Sequence, residues 1–408
     1  LPNLPTHPPP WLFGITGLPG GVFQGFLSVA MPFLLRRSGV PVQQIATISA
    51  AANIPIIYYF LWSPIVDMGL KRRTWLVLSA TTSAVCAYAA FLVPIPAQLS
   101  WLTFLLILAS ALNMVVSSSN GALMASTLPV DLRGRASGWY QCANVGGVAI
   151  GGGVLLWIGE SLSLSSTALA LGILITLPSL AALLITEPVY GRIGTVHTWR
   201  VMLQEVWAIL KSRAGLVGLV FFIAPVNAGA LMNLFSAVAA DFHAPAKAVT
   251  WITGIAGGLL SAAGSLVGGF LCDRLGRRNV YMLSGALFLV CCVAMALGPL
   301  VPWVYIAGSS VYLFVLGIAY ASFTALVLDV IGTGGRSAAT SYSLFVASGN
   351  IPVVFMTWFD GKGYGAFGPR GLLGFDALGN LVGLLIVVAL VRFALTTQPA
   401  PISAAHAD

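Results

Sequence analysis

The side chains with usable chemistry in this chain are amides and hydroxyls set inside long apolar runs. Ser110, Asn113, Ser117 and Asn120 recur at i, i+3, i+7 and i+10, which puts them on one face of a helix. Gln24 sits mid-run on a face with Gly17, Gly21 and Ser28. Gln141 and Asn144 share a face with Ser137, and two further runs hold Asn227 with Asn233, and Tyr320 with Tyr312 and Thr324. A polar side chain inside a bilayer costs free energy unless it faces protein or water. Gln24, Asn113, Ser117, Asn120, Gln141, Asn144, Asn227 and Tyr320 are therefore candidate substrate-binding groups, suited to the neutral hydrogen-bonding parts of a solute. Bonding between helices is the competing role. Asn227 and Asn233 cannot share a stripe, so one of them is expected to be structural.

Catalysis would need a nucleophile, base or metal ligands within reach of one another. The histidines fall in tails or loops, and Cys86, Cys142, Cys272, Cys291 and Cys292 show no metal-ligand or disulfide spacing. No catalytic residue, metal or cofactor is expected, and the chain is not read as an enzyme. A channel filter is not visible either. Asp329 and Asp376 are the carboxylates expected inside spans, each near an end, which leaves no midplane proton carrier.

A second set of residues is charged and repeated. Asp67, Lys71, Arg72 and Arg73 end one apolar run, and Asp273, Arg274, Arg277 and Arg278 end another at the corresponding place half a chain later. A half-desolvated ion pair at a helix end can hold neighbouring helices together in one state and release them in another. Asp67, Arg72, Arg73, Asp273, Arg274, Arg277 and Arg278 are thus candidates for a conformational latch, against the plainer role of setting topology. Arg133, Arg135 and Ser137 are answered in the same way by Arg336 and Ser337.

The elements that must position these groups are membrane helices. Hydrophobic residues make up 58% of the chain, charged residues 7%, and the mean hydropathy is +0.94, where a soluble chain carries roughly 25% charged residues. At about 20 apolar residues per span, spans fall near 11–35, 43–66, 75–93, 101–128, 136–158, 163–186, 214–240, 248–271, 280–298, 303–331, 337–359 and 371–395. The expected fold is all-α: twelve transmembrane helices in two pseudo-symmetric six-helix bundles, 11–186 and 214–395. Residues 1–10 and 396–408 are read as tails, and 187–213 as a linker with an interfacial helix. The net charge of +8 comes largely from Lys and Arg in loops on one side, an orientation signal that puts both termini in the cytoplasm. Nucleic acid is therefore not an expected partner.

Gly269 to Arg278 match, at every key position, the G-x-x-x-D-R-x-G-R-R loop of the major facilitator superfamily, which the chain resembles over its whole length. The first copy departs from it, with Ser63 for the leading glycine and Met68 after Asp67. Leu61 to Asp67, with Gly17-Leu18-Pro19 and Gln24 upstream, resemble the branch holding muropeptide permeases, acetyl-coenzyme A transporters and some siderophore permeases. Where that branch is acidic at the end of the fourth span, Asn120 to Pro129 carry no charge. The resemblance implies a cavity lined by the first, fourth, seventh and tenth spans. It also implies import of a sizeable polar organic solute, muropeptide-like or siderophore-like, across a bacterial inner membrane by alternating access. Acetyl-coenzyme A or small-metabolite transport, drug export and a non-transporting receptor or scaffold are the alternatives. The expected partners are that solute, a coupling proton and membrane lipid, with the chain a monomer.

Overall fold

The computed structural model describes residues 7–161, 163–187, 213–332 and 338–396, with Gln204, Trp207 and Lys211 in between. The first half holds α1, Pro10–Arg37; α2, Val42–Tyr58; α3, Arg72–Ala90; α4, Leu99–Thr127; α5, Arg133–Ala149, continued through a π-helical turn into Leu155–Ser161; and α6, Leu164–Ser179. The second half holds α7, Arg213–Ile223; α8, Gly257–Leu275; α9, Arg277–Leu297; and α10, Pro302–Ile331. A bend at Gly368 (φ 64°, ψ −153°) separates α11, 338–367, from α12, 369–396. Among the described residues, seven helical stretches are long and apolar enough by themselves to cross a membrane.

The rods form two bundles of six. In the first, α1 packs on α5 and α6, and α3 on α4; in the second, α8 packs on α10, and α9 on α10 and α12. The bundles meet along α5 against α8 and α10, and along α4 and α2 against α11. Small residues set the closest approaches. A methyl on Gly21 would fall on the Asn144 carbonyl, and one on Gly264 on the Phe314 carbonyl, so the glycines of α1, α5 and α8 are packing seams. Large apolar side chains such as Val85, Phe104, Leu177, Val290 and Leu385 are exposed, as they must be where the surrounding medium is lipid.

Three expectations are corrected. The seventh span is not a continuous helix over 214–240. It breaks after Ile223, shortly before Pro225; Asn227 (φ 62°) and Gly229 (φ 67°) leave the helical region, and the chain resumes as short turns from Ala230. The second span ends its α-helix at Tyr58 and reaches Asp67 through 3-10 turns. The eleventh does not stop at 359 but runs to 367, which brings Asp360 inside it. The expected interfacial helix of 187–213 falls almost wholly outside the described residues.

Candidate functional site

Between the bundles lies a cavity of about 380 Å³. All eight side chains singled out in the sequence line it: Gln24 from α1, Asn113, Ser117 and Asn120 from α4, Gln141 and Asn144 from α5, Asn227 from the break after α7, and Tyr320 from α10. Tyr59, Tyr140, Tyr281, Phe222, Phe323 and Asn350 complete the polar and aromatic wall, and among the described residues the lining contains no acidic, basic or histidine side chain. The break after α7 brings Val226, Asn227 and Ala228 to the cavity.

The hydrogen bonds sort these residues by what they have left to offer. Asn120 is fully buried and spent on α1: its Oδ1 accepts from Thr16 Oγ1 at 2.7 Å and its Nδ2 donates to the Thr16 carbonyl at 2.7 Å. Asn227 donates its N–H to Asn380 Oδ1 at 3.1 Å and its Nδ2–H to the Tyr281 carbonyl at 2.7 Å, leaving Oδ1 buried without a hydrogen-bond partner. Asn113 Oδ1 is likewise buried and unpartnered. Gln24 spends its amide N–H groups on Ser28 and Asn53, both at 3.3 Å. Gln141 donates across the bundles to Thr324 Oγ1 at 2.7 Å and accepts from Asn144 at 3.3 Å, while Ser117 shares a 3.1 Å bond with Tyr140. Thr16, Asn53, Tyr140, Tyr281 and Thr324 hold the wall in place. Tyr312, grouped with Tyr320 in the sequence, is instead fully buried in the second bundle, 4.4 Å centroid to centroid from Phe288. Asn233 lies off the cavity and bonds Thr357.

At one end the two bundles clasp each other reciprocally. Asp67, with a fully buried side chain, accepts from Arg72 Nη2 at 2.9 Å and Nε at 3.2 Å. It also accepts from the backbone N–H groups of Ala339 and Thr340 at 3.1 and 3.2 Å, across the interface at the start of α11. A carboxylate at a helix start meets both free N–H groups and the favourable end of the dipole. Burial nevertheless pushes this carboxyl up from 3.8 to about 6, against the opposing pull of Arg72 and the α11 donors. Asp273 does the mirror-image service for α5, accepting from Arg135 N–H at 3.1 Å and Nε at 3.0 Å. Arg133 reaches across to the Leu328 carbonyl at 2.9 Å, and Arg277 bonds both Asp329 and, across the interface, the Val130 carbonyl.

Not every latch candidate joins the clasp. Arg73 holds the end of the sixth span through the Leu183 and Ile185 carbonyls at 3.2 and 3.1 Å. Arg274 lies over the Phe270 ring at 4.3 Å, and Arg278 is exposed. In the first loop the acid pairs with an arginine of its own loop, whereas in the second it pairs with one from the other bundle.

Two six-helix bundles around a central cavity, with a polar clasp closing one end, define a secondary transporter of the alternating-access class. The chain belongs to the Major Facilitator Superfamily, whose profile matches residues 13–224 and again 217–407. Among solved structures it is similar to the human organic anion transporter MFSD10 (TETRAN), at 16% identity and a TM-score of 0.69, covering 93% of this chain and 100% of that one. It is also similar to the transporter FucP in the outward conformation, at 14% identity and a TM-score of 0.70, covering 93% and 97%. A variant of the E. coli fucose:proton symporter FucP gives 14% identity and a TM-score of 0.71 over the same shares. These likenesses concern the fold. No curated protein matches the chain.

Proposed function

We propose that this transporter carries a polar organic solute recognised through neutral hydrogen-bonding groups, such as a glycopeptide fragment or a siderophore. The observation that carries the reading is the cavity wall: amides, hydroxyls and aromatic rings from both bundles, with no charged side chain among the described residues to offset a buried charge on the solute. Aromatic faces beside amides suit a ring with both apolar and hydroxyl-bearing surfaces. At about 380 Å³ the cavity is at the lower end of the range for drug-sized ligands, so it holds one such molecule or the recognised part of a larger one. The same wall weighs against acetyl-coenzyme A, whose phosphates would need cations.

Orientation and direction belong to this proposal. The clasped end carries the repeated basic loops, which favours placing it in the cytoplasm with both termini. The state described is then closed to the cytoplasm, and a bacterial inner membrane and import follow the resemblance of the first two spans. The division into bundles at 11–186 and 214–395, and action as a monomer, are part of the same reading. A melting-shift screen with muropeptides, siderophores and coenzyme A esters should return a stabilising compound from the first two groups. Counterflow of that compound, labelled, in proteoliposomes should follow. Stabilisation by coenzyme A esters alone would overturn the solute reading, and binding without counterflow would favour a receptor.

A further inference from the structure

The second bundle hides a pair of acids that neither the cavity nor the clasp uses. Asp360 on α11 and Asp376 on α12 are both fully buried, next in sequence to Phe359 and Phe375 respectively, whose rings pack with centroids 4.6 Å apart. Asp376 Oδ2 accepts from Cys292 Sγ on α9 and from Asn380 Nδ2, each at 3.1 Å. Asp360 has no such donors: both its oxygens, like Asp376 Oδ1, are buried without a hydrogen-bond partner. The negative charge therefore rests on Asp376 and the proton on Asp360, since two carboxylates side by side in a low dielectric cannot both ionise.

Among the described residues, no ion pair relieves the two acids. The ion pairs among the described residues engage Asp67, Asp273 and Asp329. The groups acting on the two acids are Cys291 and Cys292 from α9, Tyr312 from α10, and Asn380. Lys362, two residues beyond Asp360, is exposed with its ammonium over the Trp358 ring at 5.5 Å, and Arg370 is exposed. One turn beyond Asp360, Tyr364 donates to Asp241 at 2.9 Å at the surface. Buried ionisable groups without a counter-ion are expensive in a membrane and mark ion or proton pathways.

The pair is also wired to the cavity. Asn380, which donates to Asp376, accepts the N–H of Asn227 at 3.1 Å, and Asn227 sits in the break after α7 with its unpartnered Oδ1 at the cavity wall. We propose that Asp360 and Asp376 form an exchangeable proton site whose occupancy is coupled, through Asn380, to the break in the seventh span. Release of one proton to water leaves two adjacent carboxylates. Their repulsion shifts Asp376 and the Asn380 amide it holds, and slackens the N–H bond of Asn227. By reciprocity, a solute that steadies Asn227 steadies the proton.

The consequence for transport rests on the transporter reading, but the test needs no solute and stands apart from it. Difference infrared spectroscopy of the full chain in lipid nanodiscs, titrated from acid to alkaline, reads the carbonyl band of a buried protonated acid. The parent should show such a band titrating beside the one that buried Asp67 gives; Asp360→Asn should lose the first and keep the second, and Asp67→Asn the reverse. Over the same titration, amide exchange in 224–229, corrected for intrinsic rates, should speed up about five- to a hundred-fold in the parent, the loss of one buried hydrogen bond. It should be slow throughout in Asp360→Asn and fast throughout in Asn380→Ala. If Asp360→Asn does not fold, Asp376→Asn replaces it and should shift the band and remove the pH dependence of exchange. A parent whose titrating bands all survive in Asp360→Asn, or whose exchange in 224–229 is indifferent to pH, overturns the proposal.

Discussion

Replacing Asp67 with alanine should open the clasped end, and the size of the effect can be worked from its partners. The carboxylate serves the Ala339 and Thr340 N–H groups, the Thr340 hydroxyl and Arg72. A buried donor stripped of its acceptor costs about 1–3 kcal/mol, so losing the two backbone acceptors alone costs the closed state about 3 kcal/mol once some water enters. That corresponds to a shift of roughly a hundred-fold toward the open form below the ordinary carboxylate value, where Asp67 is uncharged; above about 6 the variant also removes a buried charge, which offsets the shift. Asp67→Asn keeps one carbonyl acceptor and should shift the balance less. The charge itself has the opposite sign of effect. Because burial raises this carboxyl from 3.8 to about 6, the closed form binds the proton more tightly than a hydrated open form. Closure is therefore easiest below the ordinary carboxylate value, and it loses roughly 3 kcal/mol as pH rises through about 6. Spin labels on the exposed positions Leu70→Cys and Leu275→Cys, in a background without the native cysteines, report the separation of the bundles at this end. The parent should close further on mild acidification, while Asp67→Ala should be open and insensitive to pH. Equal distance distributions in parent and variant at every pH would refute the reasoning.

Gly134→Ala should open the same end without touching either bundle's core, because the added methyl would lie against the Asp273 carboxylate and 2.9 Å from the Gly269 carbonyl; the same label pair reads it. Gln24→Ala should weaken binding of the identified solute about five- to a hundred-fold, measured by titration calorimetry, with little change in melting temperature. Asn120→Ala should do the reverse, lowering stability by about 1–3 kcal/mol through the lost Thr16 contacts, so a melting curve separates the two.

Much of the site was legible because membrane spans make polar residues conspicuous. Periodicity alone placed Asn113, Ser117 and Asn120 on one face, and the repeated Asp67 and Asp273 loops marked the closing end. What periodicity could not supply was partners. Nothing local to Asn120 says that Thr16 claims its amide, and nothing local to Asp273 says that Arg135 rather than Arg277 answers it. The break at Asn227 was misread because Ala224 to Ala230 is apolar enough to pass for helix; Pro225 and Gly229 were the signals. Asp360 was missed because the run was ended one residue short of it. The glycines from Gly361 to Gly368 look like loop, yet they continue the helix as far as the bend.

The reciprocal capping at the closed end divides the molecule by task. Each half lends an acid to a helix start in the other, so neither half is finished without its counterpart, and the seal recognises that counterpart by its helix ends. No residue of that seal lines the cavity, and the link across the cavity runs through Gln141 alone among the candidates. On the function proposed above, solute preference would therefore drift through changes at Gln24, Asn113 or Tyr320 while the clasp keeps its fit. The two can be engineered separately, one for cargo and the other for timing.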